Sequence, residues 1–304
     1  MSHQHAKILL FLLLLSGCVY DDRSDCPQGI NVEVYSQTAC RPDTIYPEQI
    51  QDLTLFVFDT NGTLVSYQQN EPIQLQKGRQ QAVKASNGLF TVLAWAGLNA
   101  GLYDLDLQNI TTRQDILFRL KRVAEQALSI EGNTIYYGES PAVFLPDPKD
   151  AGSVFEHTAI NMQEITNRIT VSVEGLPNAE NYEINIESRN ASMNVDGSIA
   201  SDEKINYASK TEVKAGVLES KFTLLKLSTG YNSTIVIKSK QDGQELYRGD
   251  LLGTLLLKNP DVNLACDHDF TIRFTTKDQC KCGTYTIMEI WVNNWLVHSY
   301  ETDL

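Results

Sequence analysis

Histidine is scarce in this chain, and motifs that carry chemistry are missing. Five histidines occur in 304 residues. Only His157, His268 and His298 lie beyond the first few residues, and nothing in the sequence pairs any of them with an orienting acid, as a nucleophilic triad requires. There is no G-x-S-x-G, phosphate loop, H-E-x-x-H or dinucleotide fingerprint. An enzyme is therefore the least supported class, and no catalytic residue, metal site or cofactor is assigned. Basic residues are also in the minority. Lysine and arginine total 25 against 38 acids, a formal net charge of −13. Such a balance argues against nucleic acid or anionic headgroups as partners. Long apolar runs are absent too. Residues 8–15 form a run of eight, whereas a spanning helix needs about 20.

What is present begins in that short run. A leader carrying Lys7, a brief apolar core and small residues before a cut form a bacterial secretory signal. Leu15-Ser16-Gly17-Cys18 places cysteine directly after the cut, which marks a lipoprotein signal. Cleavage between Gly17 and Cys18 would free a thiol and an amine for acylation. Two or more acyl chains, at about 0.8 kcal/mol per buried methylene, hold a protein stably on a membrane. Residues 1–17 are thus expected to be a signal peptide and residues 18–28 a lipidated tether.

The remaining cysteines are Cys26, Cys40, Cys266, Cys280 and Cys282. Outside the inner membrane thiols tend to oxidise. Cys26 with Cys40 would close a loop of about 15 residues, worth roughly 3 kcal/mol in the chain-entropy model. Cys266 with Cys280 or Cys282 would close a similar one. The number is odd, so one thiol is left over, and connectivity stays open. Cys266, His268, Cys280 and Cys282 would also make a four-ligand zinc set, but each pair is separated by one residue and not two. The oxidising compartment favours a disulfide, with His268 facing solvent. Asp104, Asp106, Asp261, Asp267 and Asp269 lack the glycine-turned loop of an EF-hand and read as solvated acids. Asn-x-Ser/Thr sites such as Asn61-Gly62-Thr63 read as turns.

The rest reads as mostly β. Residues 30–35 alternate apolar and polar. Residues 53–58 (Leu-Thr-Leu-Phe-Val-Phe) are nearly continuous in apolar character, so both faces should be covered. Asn61-Gly62 leads into residues 63–67, a strong hairpin signal. Residues 80–84 and 89–96 are further strands, with Asn87-Gly88 as the turn between them. Small residues around Trp95 leave room for close packing of its indole. One helix is expected after Thr112, with Asp115 in its first turn and Ile116, Leu117, Leu120, Val123 and Ala124 on one face. Residues 141–148 are proline-rich and cannot be a central strand. Residues 168–174 and 182–187 alternate cleanly, as in a sheet with one wet face. A short helix over 251–258 and closing strands at 270–275, 285–292 and 295–300 follow. Asn293-Asn294 is the last turn. Many short strands at regular spacing argue for β-sandwiches, one over residues 29–160 and one over 161–304, with no glycine-rich linker between.

Several of these pieces occur together in one order. An acidic stretch after Cys18 leads to Asp25-Cys26-Pro27. Leu53-Thr54-Leu55-Phe56-Val57-Phe58-Asp59 precedes Asn61-Gly62, and Phe90-Thr91-Val92-Leu93-Ala94-Trp95-Ala96-Gly97-Leu98 follows. Arg168-Ile169-Thr170-Val171-Ser172-Val173-Glu174-Gly175-Leu176 and a closing Val292-Asn293-Asn294-Trp295 complete the set. Over nearly the whole mature chain this resembles the FimB-type fimbrial anchor lipoproteins of Bacteroidales, whose pili are called type V. The resemblance implies a mainly β protein of two tandem transthyretin-like β-sandwich domains with one or two short helices. It implies a surface-exposed outer-membrane lipoprotein that fixes the base of a fimbria through Cys18 and ends its growth. Asp21 and Asp22 resemble the surface-export signal of Bacteroidetes lipoproteins, and Asp43-Thr44-Ile45 resembles an O-glycosylation pattern.

Stalk subunits of the same superfamily are cut after an arginine beyond the first strand, which opens a groove for a neighbour's strand. Here that arginine is Arg41, and Pro42 behind it is a poor context for trypsin-like proteases. Arg23 precedes the first strand, and Arg79 lies well inside the domain. The chain is therefore expected to keep its first strand and its lipid, with a Cys26–Cys40 bridge as a second safeguard. It would contact a fimbrial stalk subunit by β-strand addition or edge contact, through the hairpin of residues 285–300 or a groove of the first domain. Trp291 and Trp295 are expected in the core. The rival functions are a tip or accessory adhesin and a surface glycan-binding lipoprotein.

Overall fold

The Gly29–Thr38 strand organises the first half of the chain. Its Ile30, Val32 and Val34 point to one side and are fully buried or nearly so. Gln80–Lys84 pairs with it antiparallel on one flank, and Phe155–Asn161 pairs parallel on the other. At its end the chain turns back as Arg41–Ile45, an exposed strand. In this computed structural model residues 22–47, 52–70, 75–105, 110–257, 262–278, 281 and 283–300 are described. Gly17, Cys18, Asp21, Asp106, Asp261, Cys280 and Cys282 lie outside them.

A second sheet faces the first. It runs Gln163–Glu164, Tyr136–Glu139, Gly88–Ala96, Leu53–Asp59, Leu64–Asn70, with Val143–Leu145 also paired to Gly88–Ala96. Leu53, Leu55, Val57, Val92 and Ala94 meet Ile30, Val32 and Val34 in one core. Burying each large aliphatic side chain contributes about 1.5–3 kcal/mol. The opposite face carries Phe56, Phe58, Leu93 and Trp95, which enter a second core. The continuous apolar run at residues 53–58 is thus covered on both sides, as its composition required. The hairpin after it also forms. Asp59 Oδ1 accepts from the N–H groups of Asn61 and Thr63, each at 2.8 Å, and Gly62 takes a φ of 77°. Asn87, at φ 53°, carries the chain from one sheet to the other.

The second sandwich repeats the plan. Thr166–Glu174 pairs antiparallel with Val217–Leu225 and parallel with Asp269–Asp278. Ser209–Lys214 closes one edge, and the Tyr285–Val292 and Trp295–Ser299 hairpin closes the other. Ile169, Val171 and Val173 face Ile184, Ile186, Ile235 and Ile237 of the facing sheet. Thr170, Ser172 and Glu174 alternate with them toward the other face, the pattern of a sheet wet on one side. The facing sheet includes Gln126–Ala127 and Arg122–Val123 from the first half of the chain. A small sheet of Ile199–Ala200, Ser192–Asn194, Leu117–Leu120 and Tyr103–Asp104 stands between the halves.

The helix expected after Thr112 does not form. The chain makes a single 3-10 turn, Arg113–Asp115, and then the Leu117–Leu120 strand. Phe118 and Leu120 point inward while Arg119 points out, a period of two that pairing with Ser192–Asn194 selects over the helical reading. Ala124 takes a φ of 54°, which ends any helical continuation. Thr112 and Asp115 cap this 3-10 turn instead. Asp115 Oδ2 accepts from the Thr111 hydroxyl at 2.8 Å and from the backbone N–H of Thr112 at 2.7 Å. These bonds bring the Asp115 carboxyl down to about 2. A lowered folded-state value means stability present above the unfolded value near 3.9 and lost as pH falls toward 2. Asp115→Asn should therefore lower the urea midpoint at pH 7, and the gap from the parent should close between about pH 4 and 2. Midpoints measured across that range check it. The later helix is present as Leu251–Leu256, capped by Asp250, whose side chain accepts from Gly253 N–H. Pro148–Ala151 is a further short helix, capped by Asp147.

Candidate functional site

The feature that bears on function lies where the leading strand ends. Cys40 sits in the turn after Thr38, and its sulfur is bonded to that of Cys266, 226 residues away, with Cα atoms 6.0 Å apart. The Cys26–Cys40 bridge expected from sequence is thereby corrected. Cys26 lies just before the strand and Cys40 just after it. Ten extended residues at about 3.3 Å each separate the two ends by roughly 30 Å, and a disulfide needs Cα atoms within about 7 Å. Cys26 is buried beside the strand's start, its N–H donating to Arg23 O at 3.0 Å. Cys266 is set by a turn in which the N–H groups of Cys266 and Asp267 donate to Asn263 O at 2.9 and 2.7 Å. Asn263 Nδ2 stands 3.6 Å from each sulfur of the bridge.

Beside the bridge a hollow of about 360 Å³ separates the Arg41–Ile45 strand from the start of the second sandwich. Arg168 crosses its floor. It donates to both oxygens of Asp269, at 2.6 and 2.9 Å, and to Glu164 at 2.5 Å. Asp269 as a bidentate partner, with Glu164 behind it, keeps the guanidinium charged and holds the Asp269 carboxyl below the usual carboxylate range. His268 is half-buried at the wall of the hollow, with Nδ1 3.1 Å from Thr166 O. Cys266 is spent on the bridge, so the zinc set of Cys266, His268, Cys280 and Cys282 loses one ligand, and its last two members lie outside the described residues. Among the described residues no group of three histidine, cysteine or acidic side chains is placed to hold a metal ion. Asp104 lies 3.8 Å from Lys121, and Asp267 accepts from Asn263 N–H at 2.7 Å, so neither is a free ligand.

The other sequence-marked residues are dispersed. Asp22 is exposed and accepts from Ser24 N–H at 3.0 Å. Asp43, Thr44 and Ile45 stand on the exposed return strand. His157 and His298 lie on separate strands, His298 against the ring of Tyr300 at 4.0 Å.

The C-terminal hairpin forms as expected, with Asn293 and Asn294 at φ 47° and 68°, the backbone of a type I′ turn. Trp295–Ser299 is the edge strand of its sheet. The expectation that Trp295 is core fails, because its side of the edge strand meets solvent and it is 46% exposed. Leu296 and Tyr300 are exposed beside it. Trp291 is half-buried under the Arg273 guanidinium, 4.8 Å from its ring, with Nε1 donating to Glu289 Oε2 at 2.8 Å.

Comparison with known proteins places this arrangement. Residues 23–301 match the family described as fimbrillin-A associated anchor proteins Mfa1 and Mfa2. The minor fimbrium anchoring subunit Mfa2 of Porphyromonas gingivalis is 37% identical over 301 residues, covering 95% of this chain and 92% of that protein. The major fimbrium anchoring subunit FimB of the same species is 24% identical over 172 residues, about half of each chain. The solved structure of the fimbrial anchor protein Mfa2 from P. gingivalis superposes with a TM-score of 0.84 at 38% identity, covering 90% of this chain and 100% of that one. A Bacteroides thetaiotaomicron structure at 20% identity shares the fold, with a TM-score of 0.74 over 92% of this chain and 99% of that one. The Porphyromonas gingivalis relatives are fimbrial anchoring proteins. With its whole described body matched, and two β-sandwiches joined through a pinned leading strand, the chain belongs to the Mfa2/FimB family of fimbrial anchor proteins.

Proposed function

We propose that this protein is an outer-membrane lipoprotein that anchors the base of a fimbria and ends its polymerisation. The observation that carries the reading is the Cys40–Cys266 bridge. It fastens the end of the leading strand to the second sandwich, so a cut after Arg41 would leave the strand covalently attached. Backbone pairing on both flanks, with Gln80–Lys84 and Phe155–Asn161, holds it further. A subunit that keeps this strand offers no groove there for a neighbour's strand, and growth stops at it.

Attachment follows from the N-terminus. Diacylglyceryl and acyl chains on Cys18 would hold residues 18–304 at the membrane, and Asp21 and Asp22 would direct the protein to the outer face. The two sandwiches then stand above the tether. The stalk subunit is met through an exposed edge. Trp295–Ser299, with Trp295, Leu296 and Tyr300 exposed, is the edge best suited to it.

Replacing the lipidated residue tests the reading. In Cys18→Ser cells the protein and its fimbriae should move from the outer-membrane fraction into the medium, as immunoblots of both fractions would report. Deleting the gene should give longer, shed fimbriae. A serine variant that stays in the membrane fraction and still holds fimbriae would contradict attachment through Cys18.

A further inference from the structure

Where the small sheet meets the second sandwich, the surface carries a cationic hollow. Arg119 comes from Leu117–Leu120, Arg122 from Arg122–Val123, Arg189 from the turn after Tyr182–Ser188, and Lys204 from the loop before Ile205–Asn206. With Asp202 and Glu203 they line an open concavity of about 530 Å³.

One buried carboxylate organises it. The Asp202 side chain is only 4% exposed. Its Oδ2 accepts from Ser192 Oγ at 2.5 Å, and its Oδ1 accepts from Glu203 N–H at 2.7 Å and Arg122 Nη2 at 3.2 Å. Arg119 Nε lies 3.7 Å from Oδ2 and donates to Ser192 Oγ at 3.4 Å. Burial opposes ionisation of Asp202, but the Ser192 and Glu203 hydrogen bonds and the two arginines outweigh it and hold its carboxyl below the usual range. A charged, buried acid therefore fixes the direction of two guanidinium groups.

That acid does not satisfy the cations around it. Arg189 forms no ion pair among the described residues, and Lys204 reaches Glu187 at 3.3 Å. Arg122 Nη1 is buried with no protein acceptor. Four cations thus line the hollow with Asp202 and Glu203. With Glu187 paired to Lys204 at its edge, the cations still outnumber the acids by one, Arg189, in a chain whose formal net charge is −13. Gathering like charges opposes folding, and the surplus is available to an incoming anion. No aromatic ring lines the hollow, so it offers no stacking surface for a sugar. Guanidinium forks match carboxylates in bidentate geometry. An acidic partner would be repelled by most of this surface and accepted here, which sets its register.

We propose that this hollow binds an acidic segment of a protein partner through the segment's carboxylates. The inference stands independently of the anchor reading. Fluorescein-labelled hexaglutamate, with hexaglutamine as the uncharged control, is titrated into the full chain and followed by anisotropy. Hexaglutamate should bind saturably, more weakly at 0.15 M salt than at 0.01 M, and hexaglutamine should not. The double variant Arg189→Gln/Lys204→Gln leaves the Asp202 network in place and should weaken binding by about tenfold, with an unchanged melting temperature. Arg189→Lys should restore part of the loss. Absence of saturable binding, or binding that the double variant leaves unaltered, would overturn the proposal. So would displacement by inorganic sulfate at equal charge concentration, which would make this a small-anion site.

Discussion

Trp95→Ala is expected to destabilise the protein by about 3–5 kcal/mol, the range for truncating a buried large aromatic. Trp95 is fully buried on the face of the first sandwich that joins the second core. Its ring lies 4.4 Å from that of Phe118 and 5.2 Å from that of Tyr137. Its Nε1 donates to Val195 O at 2.7 Å, a bond between the two halves of the chain. Gly97 two residues on lies so close to the Thr134 carbonyl that a Cβ would collide with it, so the backbone here cannot easily sink into the cavity. For a chain of this size the loss should lower the melting temperature by roughly 10 °C. Trp95→Phe keeps much of the packing but orphans the Val195 carbonyl, and should lose about 1–3 kcal/mol. Urea unfolding of both variants gives the comparison. A loss under about 1 kcal/mol for alanine would mean that this contact does not couple the halves.

The second large effect concerns the bridge. Cys40 and Cys266 enclose 226 residues of sequence separation, and the chain-entropy model assigns such a loop up to roughly 5 kcal/mol. Cys40→Ser/Cys266→Ser should accordingly melt about 10 °C lower than the oxidised parent. The functional consequence is sharper. Pro42→Ala makes the bond after Arg41 a good trypsin site on an exposed strand. In the oxidised Pro42→Ala protein, cleavage should leave both fragments in one band on a non-reducing gel and two on a reducing one. In the serine background the leading strand should dissociate in mild denaturant. Release of the N-terminal fragment from oxidised protein would remove the basis for strand retention.

Much of the fold was legible in the sequence because strands announce themselves locally. The period-two pattern of residues 168–174, the two-sided burial of residues 53–58 and the Asn61-Gly62 and Asn293-Asn294 turns all recur in the structure. Residues 113–124 misled because Ile116, Leu117 and Leu120 suit a helix face equally well until Ser192–Asn194 offers a strand partner. The bridge was illegible for a related reason. Cys26 and Cys40 are neighbours in sequence, but a straight strand holds them at opposite ends. Cys40 and Cys266 meet only because the fold brings the end of the leading strand beside the turn that holds Cys266. The cationic hollow has no local signal either, since its four basic residues come from separate segments.

The central claim is that this chain keeps both its leading strand and its lipid. The most direct measurement is the intact mass and N-terminal state of the protein taken from its own outer membrane. The account predicts a lipidated Cys18 followed by the uncut chain. A product that lacks the lipid and begins past the leading strand, at residue 42 or beyond, would make this a polymerising subunit and contradict the account.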